Sequence, residues 1–153
     1  MRIALGCDHG GFELKQKLHH YLEQKGHSII NVGTNSAEAC DYPDFAEKVA
    51  LAVSKAEAER GIMICGSGVG ATVAANKVTG ARAGLCHDTF SAHQGVEDDD
   101  VNVLCLGARV IGMNLAFDIV DVWIQARFSH AERHQRRLDK VIALEKKYRT
   151  TAA

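Results

Sequence analysis

Residues 62–71 constrain the fold of this chain more than any other segment. They read IMICGSGVGA, so a short apolar run ends in Cys65 and breaks into a Gly-x-Gly-x-Gly turn, which a helix-like stretch (72–77) follows. A strand that passes through a glycine-rich turn into a helix N-terminus gathers unpaired backbone N–H groups, and these attract an anion. A cysteine at the edge of such a turn lies where a thiolate forms more easily. The segment therefore predicts an anion site with a nucleophile or base beside it.

The same strand-to-helix alternation runs along the whole chain. We predict strands at 2–7, 28–32, 61–65, 81–86 and 102–106, and helices at 11–25, 45–59, 70–77, 89–97, 114–127 and 131–148. Short apolar strands separated by helices are typical of parallel strands in right-handed βαβ units, covered by helices on both faces. The expected fold is α/β, a Rossmann-like three-layer α/β/α sandwich. It has a five-stranded parallel sheet, an extra C-terminal helix, and one domain over 1–153.

Composition excludes several functional classes. The net charge of −1 provides no basic surface for nucleic acid, and the 46% of hydrophobic residues form no run long enough to span a membrane. No signal-peptide pattern precedes the first strand, so the cytoplasm is the expected location. The five cysteines have no CxxC spacing, which argues against a zinc or disulfide framework. We expect no metal and no cofactor.

Polar residues follow several predicted strands, where ligands bind in open parallel sheets. Asp8 and His9 follow the first strand, and His87 and Asp88 follow the fourth. Residues 66–71 also fit the G-x-G-x-x-[G/A] dinucleotide pattern, with Asp88 about where a ribose-binding acid is found. That pattern normally opens the nucleotide-binding unit, whereas here it follows the third strand. A small phosphorylated or polyhydroxylated ligand therefore suits the loop better.

Arginines near the C-terminus are candidate phosphate ligands. Arg133 and Arg137 are four residues apart and share one face of the predicted helix, so their guanidinium groups can bind one phosphate. Arg109, after the fifth strand, is a third candidate. The alternative interpretation of such a basic helix turn is a solvated surface. The acidic run 97–100 is either a solvated helix end or a source of carboxylates for proton transfer or metal binding.

Together these segments resemble the ribose-5-phosphate isomerase type B family, which includes the galactose-6-phosphate isomerase subunits. The resemblance covers essentially the whole chain and rests on residues 6–11, 41–43, 64–70, 74–77, 102–104, 107–109 and 133–137. It implies a metal-independent aldose–ketose isomerisation through a cis-enediol(ate). It also implies a homodimer or a dimer of dimers, because the family builds its sites at a dimer interface.

The resemblance also implies roles for individual residues. Cys65 matches the base that moves the proton between C1 and C2, and Ser67 matches a hydroxyl that assists it. Asp8 and His9 match contacts to the sugar or its phosphate, and Arg109 matches an arginine contributed by the neighbouring subunit. Phosphate ligands and oxyanion donors complete the expected site: Arg133, Arg137 and the backbone of Gly66, Ser67, Gly68, Val69 and Gly70.

The chain departs from the family pattern at one position. An ungapped match places Asp98 where the family usually has the histidine that opens the furanose ring, and Asp99 where asparagine is common. We expect slower ring opening, an altered substrate preference or an open-chain substrate, with His87 or His93 as possible replacements. Alternatives to the ribose 5-phosphate reaction are isomerisation of a hexose 6-phosphate (galactose or allose type) and sugar-phosphate binding without catalysis. A dinucleotide oxidoreductase is a more distant alternative.

Overall fold

A five-stranded sheet forms the centre of the protein in a computed structural model, which describes residues 1–149. All neighbouring strands are parallel, in the order β2-β1-β3-β5-β4. This confirms the predicted sheet. The strands are β1 (Arg2–Cys7), β2 (Ser28–Asn31), β3 (Arg60–Cys65), β4 (Ala83–Leu85) and β5 (Val103–Gly107).

Six α-helices surround the sheet, and a 3-10 turn at His9–Gly11 precedes the first of them. Two hydrophobic clusters lie on the two faces of the sheet: one contains residues of α1, α4 and α5, and the other residues of α2 and α3. This gives the predicted three layers. The helices are α1 (Phe12–Gln24), α2 (Tyr42–Ser54), α3 (Val69–Ala75), α4 (Thr89–Asp99), α5 (Met113–Gln125) and α6 (Glu132–Tyr148). None of the helices within residues 1–149 combines the length and the apolarity needed to cross a membrane.

The last helix is the predicted extra element, and contacts at both its ends fix its place. Near its start, His134 lies against Asp98 at the end of α4, with 3.3 Å between Nε2 and Oδ1. Near its end, Glu145 accepts a hydrogen bond from the Gly80 N–H, in the turn that precedes β4. Both contacts lie at the amino ends of the strands, so α6 crosses that edge of the sheet.

Two predicted elements, α2 and β4, have bounds that differ from the prediction for identifiable reasons. Helix α2 begins at Tyr42 rather than residue 45, because Pro43 lies inside its first turn, where the missing N–H costs nothing. It ends at Ser54, and Ala56 then adopts a left-handed conformation with φ 57°. Strand β4 is shorter than predicted, since it is an edge strand and the Asn76 side chain already pairs with both backbone groups of Ala83.

Candidate active site

The turn after β3 is held in place by close backbone packing against β5. Gly68 has φ 77°, in the left-handed region, and a Cβ there would lie 2.9 Å from the carbonyl carbon of Leu106. On the opposite side, a Cβ at Gly107 would lie 2.5 Å from the backbone oxygen of Ser67. Only glycine fits at both positions, so the turn and the strand end fix each other.

The sulfur of Cys65 faces this turn and accepts a hydrogen bond from it. Cys65 is 4% exposed, and the Gly68 N–H donates to its Sγ at 3.1 Å. A hydrogen bond from an amide is stronger when its acceptor carries charge. The turn therefore holds the sulfur in place through a hydrogen bond from its own backbone.

Some of the amides that the sequence analysis assigned to an anion are used inside the turn. Besides Gly68, the Val69 N–H donates to the Oγ of Ser67 at 3.2 Å. Among residues 1–149, the amides of Gly66, Ser67 and Gly70 donate no hydrogen bond to another group of the chain. Of the five predicted oxyanion donors, the amides of Gly68 and Val69 are thus engaged inside the turn, and three amides remain for an oxyanion.

Cys65 opens into a pocket of about 320 Å³ at the carboxyl end of the sheet. Asp8 is 7% exposed there, and its Oδ1 accepts hydrogen bonds from the amides of Gly10 and Gly11. This N-cap fixes the carboxylate, leaving Oδ2 for another partner. The residues that line the pocket are Asp8, Tyr42, Cys65, Gly66, Ser67, Gly70, Arg109 and Val110.

Tyr42 and Val110 also line the pocket, although no sequence pattern assigns either of them a role. The Tyr42 ring packs on Gly70, where an added Cβ would lie 2.6 Å from the ring carbon Cζ. The one sequence signal for Tyr42 was that segment 41–43 is among those that resemble the family, but that segment had no assigned function. Tyr42 reaches the pocket from α2, which sequence order alone does not reveal.

Arg109 lies at the Cys65 pocket of its own chain. Its amide donates to the Gly66 carbonyl at 3.0 Å, and its Nη1 lies 3.4 Å from where a Gly66 Cβ would be. The short connection after β5 folds back over the glycine turn and places Arg109 there. The implication that a neighbouring subunit contributes this arginine to the site stays a prediction.

His9 adjoins the same pocket, and its Nδ1 is held by Cys40, with 3.2 Å to the Cys40 amide nitrogen. A second cleft is lined by His9, Lys17 and Arg109, among others, so Arg109 borders both cavities. Arg109 thus borders the Cys65 pocket, while His9 and Lys17 line the second cleft together with the acidic Glu13. This end of the sheet can hold an anionic ligand.

The other predicted ligands lie at the opposite edge of the sheet. Asp100, just after α4, pairs with Arg82, which immediately precedes β4. Asp98 and Asp99 therefore lie at the amino ends of the strands, and α6 brings Arg133 and Arg137 to the same edge. The strand length separates this edge from Cys65: six residues, or about 20 Å at roughly 3.3 Å per residue. A single chain does not bring the two groups together.

Each carboxylate oxygen of Asp98 has a partner within the chain. Gln94 donates to Oδ2 at 2.6 Å, and Oδ1 lies 3.3 Å from Nε2 of the buried His134. The other ring nitrogen of His134 lies 2.6 Å from the Oγ of Ser129. Asp98 therefore fastens α4 to α6. Arg133 and Arg137 are exposed and have no ion pair among residues 1–149.

The two histidines named as possible replacements lie in different places. His87 is at the carboxyl end of β4, where its Nε2 accepts a hydrogen bond from the Gly107 N–H at 2.9 Å. His93 lies on the exposed side of α4 and pairs with Glu97. Asp88 caps α4 through Ser91, and this backbone hydrogen bond lowers the pKa of its carboxyl. A capping role accounts for Asp88 without a dinucleotide.

Three of the other cysteines are neutral thiols in the core. Burial raises the pKa of Cys7 and of Cys86 to about 11, and that of Cys105 to about 12. All five cysteines are free thiols. Among the buried cysteines, Cys65 differs in lining a pocket and accepting an amide hydrogen bond.

Comparison with known proteins gives one consistent result. A model of the Ribose/Galactose Isomerase family matches residues 3–141. Ribose-5-phosphate isomerase B of Escherichia coli (strain K12) is 45% identical, over 95% of this chain and 97% of the relative. D-erythrulose-4-phosphate isomerase of Pectobacterium atrosepticum is 37% identical, over 88% of this chain and 99% of the relative. Clostridium thermocellum ribose-5-phosphate isomerase B, a solved structure, has a TM-score of 0.94 at 47% identity, covering 97% of this chain and 99% of that one.

Replacement of Gly68 by alanine tests the packing of the turn. The turn requires a left-handed conformation at this position, which alanine disfavours, and the added Cβ clashes with the β5 backbone. We therefore expect the free energy of unfolding to fall by more than about 2 kcal/mol. Urea denaturation of the variant measures this loss. Gly112→Ala is the matched control, because a Cβ at Gly112 meets nothing within 4 Å and its φ is −79°. Equal stability of the two variants would contradict the account of the turn.

Proposed function

Because the chain belongs to the ribose/galactose isomerase family, we propose that it interconverts ribose 5-phosphate and ribulose 5-phosphate with Cys65 as the base. The observation that carries the proposal is the position of the Cys65 sulfur. It accepts the Gly68 N–H and opens into a pocket that also contains Asp8 and Arg109. The proposed base, at the end of β3, is thus followed directly by the loop whose amides are the proposed oxyanion donors.

In the proposed reaction, the Cys65 thiolate removes the proton from C2 of the open-chain aldose. The electron pair forms the C1–C2 double bond, and negative charge moves to the oxygen on C1. The free amides of the loop and the Ser67 hydroxyl stabilise that oxygen. Return of the proton to C1, with transfer of the hydroxyl proton from O2 to O1, yields the ketose.

We propose that two copies of the chain complete each site. One copy supplies Cys65, Asp8, His9 and Arg109 from the carboxyl edge. The second supplies the groups of the amino edge, with Arg133 and Arg137 on the phosphate and Asp98 and Asp99 on the sugar. Exposed apolar side chains at the Cys65 pocket support a protein partner; Val110, which lines the pocket, is 58% exposed. A homodimer or a dimer of dimers satisfies this arrangement.

The proposed setting is the cytoplasm and the pentose phosphate pathway. Five free thiols are consistent with a reducing compartment. The hexose 6-phosphate and binding-only alternatives remain candidates within the same site. A panel of ribose 5-phosphate, galactose 6-phosphate and allose 6-phosphate separates them, since binding without product formation would indicate a binding module.

Substitution of Cys65 by alanine removes the proposed base. We expect kcat for ribose 5-phosphate to fall by at least about 100-fold, the usual scale of general-base catalysis. A coupled isomerase assay measures it. Cys86→Ala is the matched control, because Cys86 is a similarly buried cysteine outside the pocket. If Cys65→Ala retains wild-type kcat, Cys65 is not the base.

The bonding of Asp98 favours a second candidate function, the isomerisation of acyclic sugar phosphates. A carboxylate whose two oxygens are held by Gln94 and His134 is poorly placed to exchange protons with a sugar ring. An aldotetrose 4-phosphate needs no ring opening, because its phosphate occupies the oxygen that would close a furanose. The relative from Pectobacterium atrosepticum is named for such a substrate.

The dependence of rate on enzyme concentration distinguishes ring opening on the enzyme from ring opening in solution. If Asp98 does not open the ring, the initial rate from ribose 5-phosphate levels off at the spontaneous rate of opening. The rate from acyclic ribulose 5-phosphate remains proportional to enzyme. Asp98→His is expected to restore proportionality for ribose 5-phosphate, and Asp98→Asn, the control, is not. A linear wild-type rate over the whole range would show that ring opening is catalysed and would remove this second candidate.

A further inference from the structure

Lys15 is a buried cation that the proposed reaction does not use. It lies in the first turns of α1 and is 3% exposed. Its Nζ donates to three neutral oxygens: the Thr34 carbonyl at 2.8 Å, Asn31 Oδ1 at 3.3 Å and Asn35 Oδ1 at 3.5 Å. Within residues 1–149 it forms no ion pair with a carboxylate. All three hydrogens of the ammonium are thus used to hold residues 31–35.

The neighbouring Cys7 does not balance the charge of Lys15. Burial raises the pKa of the Cys7 thiol to about 11, so it is neutral near pH 7. A buried charge without a counterion is costly unless it makes strong hydrogen bonds. The three oxygens of residues 31–35 stabilise it, and the ammonium in turn fixes that segment.

The segment held by Lys15 continues to His9. The loop between β2 and α2 covers residues 32–41, and near its start the Thr34 N–H donates to the Cys7 carbonyl at 3.0 Å. Near its end, Cys40 lies against the His9 ring. Both contacts are with the few residues at and just after the end of β1. These contacts attach the loop near both of its ends to the residues at the end of β1.

Cys40 presents two opposite groups to the same ring nitrogen. Its amide nitrogen and its carbonyl oxygen are each 3.2 Å from Nδ1 of His9. The N–H is aimed at Nδ1, and an unprotonated Nδ1 accepts it, which places the ring proton on Nε2. A loop shifted toward the carbonyl would instead favour a proton on Nδ1. The position of the loop decides between the two tautomers.

We propose that Lys15 is a positioning residue, which fixes loop 32–41 so that Cys40 holds His9 with its proton on Nε2. His9 then donates that proton in a hydrogen bond to the anionic end of the substrate, beside Arg109. The functional part of this inference rests on the proposed isomerase activity. The tautomer of His9 does not rest on it.

Lys15→Met tests the inference, because methionine retains the apolar stem and removes the donors. Long-range ¹H–¹⁵N spectra of the imidazoles are expected to show one Nε2–H tautomer of His9 in the wild type and a mixture in the variant. KM for ribose 5-phosphate is expected to rise about five- to tenfold, as for the loss of one hydrogen bond, with kcat within about twofold. Lys48→Met, at an exposed lysine of α2, is the matched control and leaves both measurements unchanged.

A second variant keeps the test valid if Lys15→Met does not fold. Asn35→Ala removes one of the three acceptors from an exposed position and is expected to shift the tautomer and KM in the same direction by a smaller amount. A single Nε2–H tautomer with unchanged KM in the folded variants would overturn the inference. If the wild-type chain does not turn over ribose 5-phosphate, the proposed function fails, while the spectra still test the link between Lys15 and His9.

Discussion

Five parallel strands give this protein two chemically different edges, and the candidate site depends on that separation. The carboxyl ends carry Asp8, His9 and the glycine turn with Cys65, so the proposed base and the proposed oxyanion donors lie at this edge. The amino ends carry the exposed arginines of α6 and the carboxylates that end α4. Because the strands hold the edges about 20 Å apart, neither edge alone supplies both a base and an arginine pair for phosphate.

Close backbone packing fixes the position of the turn that holds Cys65. Glycines at 68 and 107 let the turn and β5 approach each other within distances that a side chain would forbid. The Gly68 amide is thereby aimed at the Cys65 sulfur. The chain also folds back after β5 and brings Arg109 of the same chain over Gly66.

Much of the fold could be predicted from the sequence, because strand and helix periodicities are local. All five strands and six helices were expected, and so were the parallel sheet and the extra C-terminal helix. The start of α2 was misplaced because Pro43 suits both a turn and the first turn of a helix. The shortness of β4 depends on the side chain of Asn76, which follows α3 and hydrogen-bonds to the backbone of Ala83, and no local sequence pattern indicates that contact.

The candidate site was predictable only where its residues share one segment. The Cys65 turn was identified because strand, glycines and helix are consecutive. Tyr42 was missed, since it enters the pocket through tertiary packing. The contact between Asp98 and His134 joins α4 to α6, which are distant in the sequence. The acidic run alone therefore could not predict it.

Mixing two inactive variants tests most directly whether one site needs both edges from two copies. Cys65→Ala damages only the carboxyl edge, and Arg137→Ala damages only the amino edge. Subunits exchanged at equal concentrations form mixed dimers with one intact site, so the account predicts recovery of roughly a quarter of wild-type activity. Each variant mixed with itself serves as the control. Activity in the mixture no higher than the mean of the two separate variants would contradict a site shared between copies.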